Sequence, residues 1–215
     1  MIQLLVSPFL EGGGLKSFLM NILFTTVLFA GVYAVSNIRK HLITAATLGG
    51  FAFLGIWYSS IVQPTAGLGL ALAILSVICQ TAFIIYVIIL ILSSILQTTK
   101  VTIDTIYGAV SVYLLIGFGF ALYYVLLEIL HPGSFYIDDA HNLNNLIDWF
   151  DVVYFSFTTL TTLGYGDMTP VTAMARIVSI IEAILGVMYL AILIARFVGI
   201  FIAQAMASSK EEFFE

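Results

Sequence analysis

The sequence predicts an all-α integral membrane protein, and three observations carry that expectation. Hydrophobic residues make up 61% of the 215 positions and charged residues only 9%, whereas soluble domains carry about 25% charged and about 45–50% apolar residues. The apolar residues fall into runs long enough to cross a bilayer, separated by short polar or turn-forming breaks. Between the last two long runs lies a shorter one that ends in Gly164-Tyr165-Gly166. A mean hydropathy of +1.12 leaves more apolar surface than a chain of this length can hide from water, so its solvent is lipid.

A spanning helix needs about 20 mostly apolar residues. The segment Met1 to Leu10 lacks the basic lead and small-residue cleavage site of a signal peptide and reads as a short interfacial helix, broken by Glu11-Gly12-Gly13-Gly14. The first span runs from Ser17 to Ser36 and stops at Arg39-Lys40-His41; the second runs from Leu42 to Val62 and ends before Gln63-Pro64. The third covers Gly67 to Leu96, a length that calls for tilt or an overhang, because two halves would each be too short to cross. The fourth runs from Val101 to Leu130, where His131-Pro132-Gly133 stops it. After an acidic stretch around Asp138-Asp139 comes a helix from Trp149 to Thr161, whose rise of about 20 Å cannot cross a bilayer. The last span begins after Pro170 and extends to Ala207.

The expected architecture is five transmembrane helices plus one re-entrant helix and loop. Irregular backbone survives at membrane depth only where protein buries it or water reaches it, so the glycine-rich loop must line a pore or cavity. With the amino terminus outside and the carboxyl terminus cytoplasmic, Arg39, Lys40, Lys100, Arg196 and Lys210 fall on the inner side against Lys16 and Arg176 outside. That split obeys the positive-inside tendency. The net charge of −5 gives no reason to expect nucleic acid as a partner. Cys79 is the only cysteine and sits in an apolar run, where it reads as a packing residue. Asp138, Asp139 and His141, with His131 nearby, read as a solvated outer loop rather than a metal site.

The stretch Phe155-Ser156-Phe157-Thr158-Thr159-Leu160-Thr161-Thr162-Leu163-Gly164-Tyr165-Gly166-Asp167 resembles the pore signature of tetrameric potassium channels of prokaryotic type. The resemblance covers Val101 to Ala207, and Arg176 and Gly186 stand where the two-helix members place an arginine and an inner-helix glycine. It implies a homotetramer around a central pore, embedded in the inner cell membrane, that conducts K+ passively. The chain then divides into an N-terminal three-helix bundle over 1–100, which departs from both the two-helix and the six-helix members of that family, a pore domain over 101–207 and a short cytoplasmic tail over 208–215. K+ ions in the filter are the only ligand implied, with no organic cofactor and no enzymatic activity.

In that frame Thr162, Leu163, Gly164, Tyr165 and Gly166 are the selectivity filter. Glycine reaches positive φ without steric cost, and alternating backbone hand would turn carbonyls toward one axis, where they replace the hydration shell of the ion. The filter-support residues are Trp149 and Tyr154, whose rings can receive Tyr165, together with Thr158, Thr159, Asp167 and Glu182. Glu182 is an intramembrane acid, which rarely faces lipid, and Thr158 or Thr159 is its expected partner. Val187, Leu190 and Ile194 share one helical face and form the cavity wall, with Gly186 as a hinge or a site of close helix packing. Arg196 is expected to snorkel to headgroups.

The family's usual second filter residue is valine, and here it is Leu163. A weakly selective monovalent cation channel and a non-conducting accessory subunit therefore stand as alternatives. The runs Ser17–Ile38 and Leu42–Thr99 contain no arginine or lysine, which predicts little intrinsic voltage sensing.

Overall fold

The computed structural model describes residues 67–138 and 147–212, with helical positions at 43, 47 and 49–55. The interfacial segment and the first predicted span lie outside the described residues, as do Asp139 and His141, and most of the second span does too. In chain order the described elements are α1 (Leu68–Gln97), α2 (Ile103–Leu130), β1 (Phe135–Ile137), α3 (Trp149–Leu160), β2 (Met168–Pro170) and α4 (Ala173–Glu212). Three of them are long and apolar enough to cross a membrane: α1, α2 and the Ala173–Met206 part of α4.

Helix α1 has no charged residue. Its buried positions Ala73, Ser76, Val77, Gln80, Phe83, Ile84 and Val87 recur at three- and four-residue spacing, so they form one stripe, and that stripe packs against α2. The hydroxyls of Ser76 and Thr81 donate back to the carbonyls of Ala73 and Val77, at 2.8 and 2.9 Å, which keeps them satisfied in apolar surroundings. With 30 residues the helix is about 45 Å long, more than the roughly 30 Å hydrocarbon core.

Helix α2 begins at Thr102, whose hydroxyl accepts the Thr105 N–H at 3.3 Å, with Asp104 in the first turn. It ends where Pro132 cannot continue it and Gly133 adopts φ +83°. Both oxygens of Glu128 hold that turn, accepting the N–H groups of Gly133 at 2.7 Å and Ser134 at 3.0 Å.

Strands β1 and β2 pair antiparallel with Phe135 opposite Pro170, Tyr136 opposite Thr169 and Ile137 opposite Met168. The ladder is extended on both sides, by Asp138 N–H to the Asp167 carbonyl at 3.0 Å and Val171 N–H to the Ser134 carbonyl at 2.8 Å. The short α3 thus leaves and returns at one place. Asp148 starts α3 with a capping box: its side chain accepts the N–H groups of Phe150 and Asp151, while Asp151 accepts that of Asp148.

The main core joins α1, α2, α3, the strand pair and the first turns of α4. At its centre Tyr124, Phe135 and Phe155 meet edge-on, with ring centroids 5.2–5.3 Å apart. A second cluster forms toward the other end, where Ile95 of α1 and Ala109 and Val112 of α2 receive Tyr189, Leu193 and Phe197 of α4. Along α4 the buried side chains Ala175, Val178, Ser179 and Glu182 follow a single stripe. Much of the rest is exposed and apolar, including Ile177, Ile181, Ile184, Met188 and Ile192. Such an apolar surface suits lipid, not water.

Candidate functional site

The site is the turn that leaves the carboxyl end of α3. Its amide groups are tied backward: Thr162 N–H donates to the Thr159 carbonyl at 2.9 Å, and Leu163 and Gly164 N–H both donate to the Thr158 carbonyl, at 2.8 and 3.1 Å. The Thr158 hydroxyl is itself held by the Phe155 carbonyl at 3.0 Å, and that of Thr161 by the Phe157 carbonyl at 2.7 Å. Among the described residues, no hydrogen bond uses the carbonyl oxygens of Thr162, Leu163, Gly164, Tyr165 or Gly166. The first three donors of the turn are consumed, and its acceptors are left over.

The backbone alternates in hand along the same stretch. Thr162, Gly164 and Gly166 have φ of +59°, +53° and +86°, and Leu163 and Tyr165 between them do not enter the left-handed region. The two glycines take this conformation freely. Thr162 does not, because a β-branched residue at positive φ is a steric outlier that costs about 1–3 kcal/mol. All five residues are exposed, with Leu163 at 55% and Tyr165 at 69%, so nothing among the described residues covers this irregular backbone.

Tyr154 and Asp167 brace the outer side. The Tyr154 hydroxyl donates to Asp167 Oδ2 at 2.7 Å, Asp167 Oδ1 accepts the Met168 N–H at 3.1 Å, and the Tyr154 ring stacks on Tyr165 at 6.5 Å with an interplanar angle of 3°. Trp149, at the start of α3, packs on the apolar core.

Glu182 is fully buried, but its partners are not the expected threonines. Its Oε1 lies 2.5 Å from the Ser156 hydroxyl and its Oε2 2.5 Å from the Tyr124 hydroxyl. The reason is the register of α3. Val152, Val153, Phe155, Ser156 and Leu160 are its buried residues, and of these it is Ser156 whose hydroxyl meets Glu182. The polar residues Tyr124 and Ser156 were missed, although a serine on an otherwise apolar stripe is the signal that could have found one of them.

Gly186 is buried, and a Cβ there would run into the Leu160 carbonyl at the end of α3. Helix α4 continues unbroken through it, so close packing accounts for the glycine. Val187, Leu190 and Ile194 lie on the exposed remainder of α4, at 54%, 41% and 61% exposure. Arg196 does not reach outward: its guanidinium donates to the carbonyls of Leu96 and Thr98 at the end of α1. A cation there complements the negative end of the α1 dipole.

Comparison with known proteins meets this geometry. Residues 123–203 match the family described as "Ion channel". The chain is 46% identical over 55 residues to "Probable potassium channel protein 2" of Methanocaldococcus jannaschii, a match that takes in 24% of this chain and 16% of that one. It is 30% identical over 105 residues to "Protein LctB" of Geobacillus stearothermophilus, covering 48% of this chain and 78% of the relative. The corresponding protein of Bacillus caldotenax is 30% identical over 100 residues, covering 46% and 74%. No solved structure matches.

Proposed function

We propose that this chain, which belongs to the potassium channel family, assembles as four copies around one pore and conducts K+ passively and selectively across the cell membrane. As an ion channel it is an integral membrane protein. The proposal adds its selectivity, its stoichiometry and the residues that do the work. In this reading α3 is the re-entrant pore helix and Thr162 to Gly166 is the filter, completed by three further copies of the same loop.

One observation carries the proposal: the unused carbonyl oxygens of Thr162 to Gly166 on a backbone of alternating hand. Alternation turns successive carbonyls to a common side. Four such strands facing one axis present rings of oxygen that stand in for the hydration shell of a potassium ion, and the Thr162 hydroxyl adds a ring at the inner end. The carboxyl end of α3, partially negative, favours a cation below the filter, where Val187, Leu190 and Ile194 line the cavity. Trp149, Tyr154, Thr158, Thr159 and Asp167 hold the filter from behind. Five spans per subunit place the amino terminus outside and the carboxyl terminus in the cytoplasm, and little voltage sensing is intrinsic to the chain.

The test is flux from the purified chain in liposomes, followed by a reversal potential under opposed potassium and sodium gradients. A potential close to the potassium limit is expected. A potential near zero would make the pore a weakly selective cation channel, the consequence Leu163 could have. Absence of flux from a homogeneous assembly would make the chain an accessory subunit.

A further inference from the structure

We propose that Glu182 is a protonated carboxylic acid that ties the pore helix α3 to α2 and α4, and thereby positions the filter behind which it sits. The inference rests on reading Thr162 to Gly166 as that filter.

The argument is a count of protons. Ser156 Oγ lies 2.7 Å from the Gly117 carbonyl of α2 and 2.5 Å from Glu182 Oε1 of α4. A serine hydroxyl has one proton to give. The Gly117 carbonyl can only accept, so the Ser156 proton goes there, and the contact with Glu182 needs a proton from the other side. Tyr124 supplies the 2.5 Å contact with Oε2, because its remaining neighbour Ser179 lies at 3.5 Å and already donates to the Ala175 carbonyl at 2.8 Å. Three oxygen–oxygen contacts at hydrogen-bonding distance thus draw on two hydroxyl protons. Glu182 is the only member of the network able to hold the third.

Burial points the same way. Glu182 has no exposed surface, and a buried charge is costly unless it is paired as well as hydrogen-bonded. Glu128 makes the contrast: both its oxygens accept backbone N–H groups, so its contacts call for no proton of its own.

The protonated acid therefore joins three helices through one side chain. Ser156 lies in the same turn of α3 as Thr158, whose carbonyl anchors Leu163 and Gly164. Glu182 is thus a positioning residue, acting on the filter through α3.

Infrared spectra of the purified full chain in lipid, with and without carbon-13 glutamate, test the protonation without any substitution. A label-sensitive band of a protonated carboxylic acid at neutral pH is expected, and it should disappear in Glu182→Gln. Its absence from the wild type overturns the proposal. Potassium flux tests the positioning. Glutamine can donate to Ser156 and accept from Tyr124, so Glu182→Gln should keep flux within about twofold of wild type while Glu182→Ala loses about tenfold. Equal loss in both variants also overturns it. Wild-type protein that carries no flux but shows the acid band would refute the channel reading and leave the protonated tie standing.

Discussion

In α1 the hydroxyls of Ser76, Thr81 and Ser93 fold back onto carbonyls of their own helix, and an apolar stripe seals the helix against α2. The residues from Thr162 to Gly166 do the reverse: they keep five carbonyls free, hold Thr162 in a strained conformation and lie exposed. Both segments belong to a chain dissolved in lipid, where an unsatisfied polar group is costly. One segment meets that cost inside itself. The other leaves it unmet among the described residues, and in the proposed assembly a pore lined by copies and filled by ions would meet it. Function sits where self-sufficiency ends.

The largest test of that contrast is Gly166→Ala. A Cβ at φ +86° costs about 1–2 kcal/mol in each chain, and in the proposed assembly the strain would fall on every copy. Potassium flux should vanish while the purified assembly keeps its size, and near-normal conduction would erase the distinction. Next comes Gly186→Ala, which drives a methyl group into the Leu160 carbonyl. A loss of about 1–3 kcal/mol is expected, read as a lower midpoint of thermal unfolding in detergent. Gly199→Ala on the same helix meets nothing within 4 Å and should hold or raise that midpoint, so equal behaviour of the two would remove the packing argument. The smallest effect belongs to Arg196→Gln. Losing the bonds to Leu96 and Thr98 should cost about 0.5–1.5 kcal/mol and speed amide exchange at Thr98, with flux changed less than by the other two. Unaltered exchange there would show that α1 and the inner end of α4 are not coupled through this side chain.

The spans α1, α2 and α4 were legible because long, mostly apolar runs leave one answer in a membrane, and α3 because its length forbids crossing. The turn at Gly164 to Gly166 was legible from its glycines. Other features depend on which helix faces meet, and one chain read in order does not contain that. The partnership of Glu182 with Ser156 needs the rotation of α3 against α4, and the docking of Arg196 needs the carbonyl end of α1 beside it. The three-residue strands Phe135–Ile137 and Met168–Pro170 are too short to show any alternation, and Pro170 argues against a strand until an edge position is known.

The strand pair has a consequence of its own. Because Asp138 and Asp167 are joined at the base, everything between them behaves as a cassette whose two ends are already stitched together. Extra or missing residues between Asp138 and Asp148 therefore meet a closure that is already made, at a cost that grows only slowly with length. That part of the chain is therefore free to be rewritten by evolution or by design without disturbing the seat of α3.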